Sequence, residues 1–93
     1  MCTINIKDLV QNQSLPSAGE ALFSIMIDKM NDQDSIILNM EGVHSLPSLF
    51  LNPSLGRFIE ENGVDLLKHK IKFSHITKTQ AERLNEYIQK FNK

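Results

Sequence analysis

Three short segments of the chain have the apolar character of β-strands. Residues 3–6 are β-prone, with Ile4 and Ile6 on one face, and residues 71–76 form a similar segment late in the chain. Between them, residues 36–40 form a nearly continuous apolar run, which predicts a central strand covered on both faces. The pattern therefore predicts three strands.

The segment that follows residue 16 has apolar positions at helical spacing. Pro16 or Ser17 opens this helix after a polar loop at residues 12–17. Phe23 and Ile27 widen its apolar stripe, which predicts a helix packed on much of its circumference. The other members of the stripe are Ala21, Leu22, Ile25, Met26 and Met30.

A second helix is predicted for residues 48–62, and Pro53 leaves its start open to two interpretations. Asn52 is the N-cap with Pro53 at the first helical position, which suits both residues. Alternatively, the helix begins at Ser48 and Pro53 lies inside it, with the loss of one backbone hydrogen bond. We expect the helix to end before Gly63, with this glycine in the left-handed conformation.

The last helix is predicted for residues 77–91. A capping box begins it, formed by Thr77 with Gln80 or by Thr79 with Glu82. Packing on the chain's own sheet explains its apolar stripe, although an amphipathic helix of this kind also suits partner binding. The stripe consists of Ala81, Leu84, Ile88 and Phe91.

The order of these segments is βαβαβα, with a turn at residues 31–34 and a short helical turn at residues 64–70. Strands that alternate with helices indicate right-handed crossovers. The predicted fold class is therefore α/β, a single domain over residues 1–93 with three or four strands in a mostly parallel or mixed sheet. So small a sheet leaves edges to cover, which makes a homodimer an expectation.

The composition is that of an ordinary globular chain. Of its 93 residues, 41% are hydrophobic and 23% are charged, and the formal net charge is -1, which argues against nucleic acid and membrane surfaces as partners. Neither a membrane span nor a secretory signal is recognisable, and the single Cys2 cannot form an internal disulfide. We expect a cytoplasmic protein of bacterial or phage origin.

Serine hydroxyl groups cluster in the loop and helix start that follow the central apolar run. In an open α/β sheet, this place commonly holds a ligand or a modifiable side chain. Ser45, Ser48 and Ser54 each have two interpretations, a helix cap or a phosphorylation site. Ser48 is the first candidate for phosphorylation and Ser45 the second, because free N–H groups and the helix dipole hold a phosphate at a helix N-terminus.

The other chemistry-bearing residues have simpler explanations. His44, His69 and His75 include no pair at helical spacing and no clustered cysteines accompany them, so we expect no metal site. Glu60 and Glu61 have no partner nucleophile, which favours a solvated helix face. A phosphate-binding loop and a nucleophile elbow are both missing, so the sequence predicts neither a cofactor nor an enzyme.

Two strings of the chain resemble a known family. They are IILNMEGVHSLPSLFLNPSLGRFIEENG at residues 36–63 and IKFSHITKTQAERLNEYI at residues 71–88. Both are similar to the STAS-like domains of uncharacterised function, small bacterial and phage proteins distantly similar to anti-sigma factor antagonists. The resemblance covers roughly residues 35–88 and implies an α/β STAS fold.

In the antagonist relatives, an ATP-binding kinase phosphorylates a serine or threonine at the start of this helix, and the modification controls partner switching. The matching position here is Ser48. The chain departs from that pattern at Pro47, where an aspartate is usual, and at Asn39, where an acidic residue often ends the strand. It also has Leu49 and Phe50 where a small residue or a second serine is usual.

The resemblance implies a non-catalytic regulatory protein that docks on a partner such as an ATP-binding kinase-like protein. The alternative is a phage or mobile-element inhibitor, such as an anti-defence protein, that acts by stoichiometric binding without phosphorylation. A small enzyme or nucleotide-binding subunit is the third and least favoured hypothesis. The expected partner-binding residues are Glu41, His44, Ser45, Ser48 and Asn52.

Overall fold

A computed structural model of the chain describes residues 2–30, 35–43 and 47–91. The predicted α/β class is confirmed, and the turn expected at residues 31–34 lies outside the described residues. The elements in chain order are β1 (Cys2–Asn5), α1 (Ile6–Gln11), α2 (Leu15–Met30), β2 (Ile36–Asn39), α3 (Ser48–Leu51), a π-helical turn (Asn52–Gly56), α4 (Arg57–Asn62), α5 (Val64–Lys70), β3 (Ile71–Ser74) and α6 (Lys78–Gln89).

The three strands form one parallel sheet in the order β1-β2-β3, as the alternation of strands and helices predicted. In its register, Leu38 of β2 lies between Ile4 of β1 and Phe73 of β3. Two right-handed crossovers made in the same direction place their helices on the same face of a sheet. The core should therefore lie on one side of the sheet only.

Burial of the strand residues agrees with this arrangement. Because alternate residues of a strand share a face, Ile4, Ile36, Leu38 and Ile71 point towards the helices, and all four are buried. The helices complete the core with Ile6, Ala18, Leu22, Phe23, Met26, Phe50, Leu51, Leu55, Phe58, Ile59, Leu67, Leu84 and Tyr87.

The opposite face of the sheet is open among the described residues. Thr3 and Lys72 are exposed there, and Ile37 between them is only half-buried and does not pack against the core. The expectation that the central strand is covered on both faces is therefore wrong. Its apolar run consists of three buried residues, Ile36, Leu38 and Met40, and of Ile37, which faces away from the helices.

The first strand ends one residue earlier than predicted, because Ile6 begins helix α1. Asn5 has extended backbone angles, φ -86° and ψ 104°, and is the residue before the helix. Ile6 is only 1% exposed and joins the core, with Leu9 and Val10 packed partly against it. This spacing of three and four residues is helical, and it was missed because the segment is so short.

The second predicted helix is continuous from Ser48 to Asn62, so the earlier start is correct and Asn52 is not an N-cap. The π-helical turn makes this possible. The Arg57 N–H donates to the carbonyl of Asn52, five residues earlier, and the turn contains Pro53. A wider turn gives the proline ring room that an α-helix does not, while Pro53 still has no N–H to donate.

Close packing against α2 accompanies this turn. A Cβ at Gly19 would lie 2.5 Å from Pro53 Cγ and 2.6 Å from the carbonyl oxygen of Phe50. Only glycine leaves room for the two helices to approach this closely. The pairing of Gly19 with Pro53 therefore fixes where the second helix crosses α2.

The C-terminal elements follow the predictions in most respects. The second helix ends before Gly63, but this residue combines φ 95° with an extended ψ of 156° and is not left-handed helical. Thr77 and Gln80, rather than Thr79 and Glu82, form the capping box of α6. Of the predicted stripe on α6, Leu84 is fully buried, whereas the members left half-buried are Ala81, Ile88 and Phe91. No helix within the described residues combines the length and the apolar character that crossing a membrane requires.

Candidate functional site

The carboxyl ends of the three strands carry a row of polar residues. Asn5, Asn39 and Ser74 occupy matching positions in the register. The side-chain amide of Asn39 donates to Asn5 Oδ1 at 3.1 Å. This edge of a parallel sheet is where open α/β folds bind their ligands.

A tight turn at residues 41–43 follows β2 directly. Asn39 Oδ1 accepts the Glu41 N–H at 3.0 Å, so the side chain that contacts β1 also shapes the turn. Gly42 has φ 82°, and the stem of Lys7 lies against it, because a Cβ there would be 2.7 Å from Lys7 Cδ. Asn39 thus has a structural role in the turn.

An open polar depression of about 330 Å³ lies beside this turn. Its lining combines one ammonium group with two carboxylates and two amides. Because the carboxylates outnumber the ammonium group, this lining does not favour a free phosphate. The lining residues are Asn5, Lys7, Asp8, Asn39, Glu41 and Gly42.

Ser48 lies at the first position of α3 and is exposed. The residue in the N-cap position is Pro47, which has no side-chain group to offer, so Ser48 does not cap the helix. Within the described part of the chain, the Ser48 hydroxyl makes no hydrogen bond. The next residue, Leu49, is an apolar side chain with 63% of its surface exposed.

Ser54 has the opposite environment. It is fully buried in the π-helical turn, and its hydroxyl donates to the Phe50 carbonyl at 2.7 Å. This bond supplies a donor to a carbonyl in the part of the helix that the π turn disturbs. Ser54 is therefore neither a cap nor an accessible phosphorylation site.

Helix α6 makes hydrogen bonds on both sides of the loop predicted between β2 and the second helix. Its Gln80 side chain donates to the Val43 carbonyl, before the loop. Its Tyr87 hydroxyl donates to Asn52 Oδ1 at 2.6 Å, after the loop. Burial, and to a smaller extent the Glu60 carboxylate, raise the pKa of Tyr87 above its ordinary 10.0.

The structure describes three of the five predicted partner-binding residues, and all three are exposed. Glu41 lies in the turn after β2, whereas Ser48 and Asn52 lie within the second helix. His44 and Ser45 lie outside the described residues.

The remaining chemistry-bearing residues do not form a catalytic arrangement. His75 Nε2 lies 3.8 Å from Glu41 Oε2, with both side chains more than half exposed. His69 is exposed in the last turn of α5, and Glu61 forms an ion pair with Arg57 at 3.0 Å. Across residues 2–30, 35–43 and 47–91, no group of three histidine, cysteine or acidic side chains could hold a metal ion.

Four residues of this region were not singled out from the sequence. Asn5 could have been found, because it is the polar residue next to the end of a predicted strand, as Asn39 is in the next strand. Lys7 could not, because its contact with Gly42 depends on α1, which was not predicted. Gln80 was predicted from the sequence to have a capping role only, and Tyr87 was given no role. Only the packing of α6 shows what else these two residues contact.

Comparison with known proteins gives one match. Residues 18–81 match the family described as STAS-like domain of unknown function (DUF4325), from within α2 to the first turn of α6. The matched region contains the turn at residues 41–43 and Ser48, and it begins and ends earlier than the resemblance at residues 35–88. No curated protein and no solved structure is significantly similar to the chain. Since the match spans more than half of the sequence, the chain belongs to this family of STAS-like domains.

Proposed function

We propose that this chain is a cytoplasmic, non-catalytic regulatory module that binds a protein partner. The binding surface, here called the loop–helix surface, consists of Glu41, Ser48, Leu49 and Asn52. The observation that carries the proposal is the exposure of Ser48 and Leu49 side by side in the first turn of α3. Membership of a STAS-like family supports a regulatory role.

Ser48 is the switch of this proposal, and its modifying enzyme is an ATP-binding kinase-like partner. Phosphorylation adds a charge of about −1.5 to −2 beside Leu49. A partner that covers Leu49 must remove water from its surroundings, and a charged phosphate in such an interface is strongly disfavoured. Phosphorylation of Ser48 would therefore release the partner.

The test is quantitative affinity purification of the tagged chain from its native host, with phosphorylation sites mapped by mass spectrometry. We expect phosphate on Ser48 in part of the wild-type protein. A partner should co-purify with Ser48→Ala at the wild-type yield or above, and its yield should fall at least about tenfold with Ser48→Asp or Leu49→Asp. Ser24→Asp, at an exposed position of α2, is the matched control and should keep the partner.

Thermal unfolding of each variant separates binding from folding, because exposed positions should leave the melting temperature nearly unchanged. A partner that stays bound to both Ser48→Asp and Leu49→Asp would contradict the loop–helix surface. A stable complex with no phosphate on either the bound or the free chain would contradict the switch, and would favour the stoichiometric inhibitor instead.

A further inference from the structure

Among the described residues, strand β3 forms an open edge of the sheet. The Ser74 carbonyl accepts the Met40 N–H at 2.9 Å, so Ser74 directs its backbone groups at β2. Alternate residues of a strand direct these groups to opposite sides, and Phe73 therefore points its N–H and carbonyl away from the sheet. Neither group has a backbone partner among the described residues.

An apolar groove of about 300 Å³ lies beside this open edge, between β3 and α6. Phe73 and Ile76 line one wall, and Ala81, Leu84 and Ile88 line the other. Phe73, Ala81 and Ile88 remain half-buried because the groove is not filled. The only polar side chain that α6 contributes is that of Asn85.

The strand edge is also positively charged. Lys68 and Lys70 lie in the last turn of α5, and Lys72 on β3, between Ile71 and Phe73, is itself part of the groove lining. The Lys72 ammonium donates to the Lys68 carbonyl at 3.3 Å. None of these three lysines has an ion-pair partner within the part of the chain that the structure describes.

The charges of these lysines favour one possible occupant of the groove over another. Two copies of the chain paired through β3 would bring two lysine clusters together, which is unfavourable, and lysine on an edge strand is a common protection against such self-pairing. An acidic segment from another protein is attracted instead. Because Lys72 and Phe73 alternate along β3, an added strand would carry apolar side chains on the face of Phe73 and acidic ones on the face of Lys72.

We propose that this β3-edge groove binds an extended peptide segment of a partner protein, in which apolar and acidic residues alternate, as an additional strand of the sheet. The backbone of Phe73 would pair with the segment. This is a second docking surface, built from other residues than the loop–helix surface, and it does not depend on Ser48.

The test is a titration of the full, isotope-labelled chain with a short synthetic peptide in which valine and glutamate alternate, followed by nuclear magnetic resonance and amide hydrogen exchange. We expect chemical-shift changes at β3 and α6, and exchange of the Phe73 amide slowed at least about tenfold at saturation. Lys72→Glu should raise the Kd about tenfold or more. Lys29→Glu makes the same charge change in the last turn of α2 and should alter the Kd less than about twofold.

Three further outcomes decide the proposal. A peptide methylated on alternate backbone nitrogens should lose binding, and equal binding by that peptide would overturn strand addition. Ser48→Ala should leave the Kd unchanged, whereas shifts confined to residues 41–52 would overturn the assignment to β3. The chemical shifts of β3 residues are also measured at several protein concentrations without peptide. If they change with concentration, the edge pairs with a second copy of the chain, which would contradict the proposal.

Discussion

Two serines of the second helix differ in what surrounds their hydroxyl groups. Ser48 is exposed and its hydroxyl makes no hydrogen bond within the described residues, whereas Ser54 is completely buried and bonds to the Phe50 carbonyl. A buried carbonyl that loses its donor keeps the cost of its removal from water. The two positions are therefore expected to respond to substitution in different ways, Ser54 in stability and Ser48 in binding.

Ser54→Ala is expected to lower the free energy of unfolding by about 1–2 kcal/mol, because the Phe50 carbonyl loses its side-chain donor inside the π-helical turn. Denaturant unfolding measures the difference. Ser24→Ala, at an exposed position of α2, is the control and should change stability by less than about 0.5 kcal/mol. Equal effects at the two serines would show that the buried hydrogen bond contributes nothing.

Tyr87 is the only tyrosine and the chain has no tryptophan, so its ionisation can be followed by ultraviolet absorbance. Since burial raises the pKa of Tyr87, the titration midpoint of the folded chain should lie above 10.0. Between 10.0 and that midpoint, the folded state keeps a proton that the unfolded state has lost, so stability falls as pH rises. Tyr87→Phe should make this fall shallower, and a midpoint at or below 10.0 would contradict the prediction.

Individual roles of residues were predictable where they depend on local sequence. The capping box of Thr77 and Gln80 needs only four consecutive residues, and it was foreseen as one of two alternatives. The bond from Gln80 to Val43 joins residues far apart in the chain and could not be foreseen. Exposure of Ser48 likewise depends on how the helix start packs, which a sequence pattern does not report.

At the scale of the element, the start of α6 is fixed by side-chain hydrogen bonds. Thr77 Oγ1 accepts the Gln80 N–H at 3.1 Å, and Gln80 Oε1 accepts the Thr77 N–H at 3.0 Å. Both bonds satisfy backbone donors that a helix terminus leaves without partners. The same helix donates hydrogen bonds to Val43 and Asn52. Its position therefore affects the loop–helix surface.

Thr77→Ala is expected to destabilise the chain by about 1 kcal/mol, because the helix loses its N-cap. Thr79→Ala removes an exposed hydroxyl from the same turn and should cost less than about 0.5 kcal/mol. Thermal or denaturant unfolding of the pair measures the difference. If Thr79→Ala were the more damaging change, the capping box would have to be the alternative one.

The second helix shows the limit of prediction at this scale. Its end before Gly63 was predicted, whereas its start was left open between Ser48 and Asn52, and the structure has it at Ser48. The π-helical turn was not foreseen, because it results from Pro53 together with close packing against Gly19 on another helix. From local rules, Pro53 was expected either to disturb the helix or to stand at its first position. Packing against α2 favours a continuous helix with a π-helical turn instead.

At the scale of the whole molecule, the chain is a parallel sheet with its helices on one face. The α/β class was predictable from the alternation of apolar segments, whereas the prediction left open three or four strands and a mostly parallel or mixed sheet, of which the structure has three parallel strands. The open second face of the sheet was not predictable, since Ile37 belongs to an apolar run that is typical of a strand covered on both faces. The apolar character of a run does not show which of its residues face a helix.

Amide hydrogen exchange tests this architecture. Leu38 and Phe73 are neighbours in the register, but the Leu38 amide lies inside the sheet and that of Phe73 points outward. We expect the Leu38 amide to exchange at least about a hundredfold more slowly than the Phe73 amide in the isolated chain. Similar protection of both would mean that β3 is not a free edge, and it would remove the basis of the β3-edge groove.

The π-helical turn amounts to one extra residue inserted into an α-helix. Such an insertion rotates the residues before it by about 100° relative to those after it. In this chain it sets the direction in which Ser48 and Leu49 face, while Phe58 and Ile59 stay in the core. A relative one residue shorter between β2 and Gly63 would present another side of its first turn to a partner. Single-residue insertions and deletions at this place thus offer evolution a way to change partners without rebuilding the core.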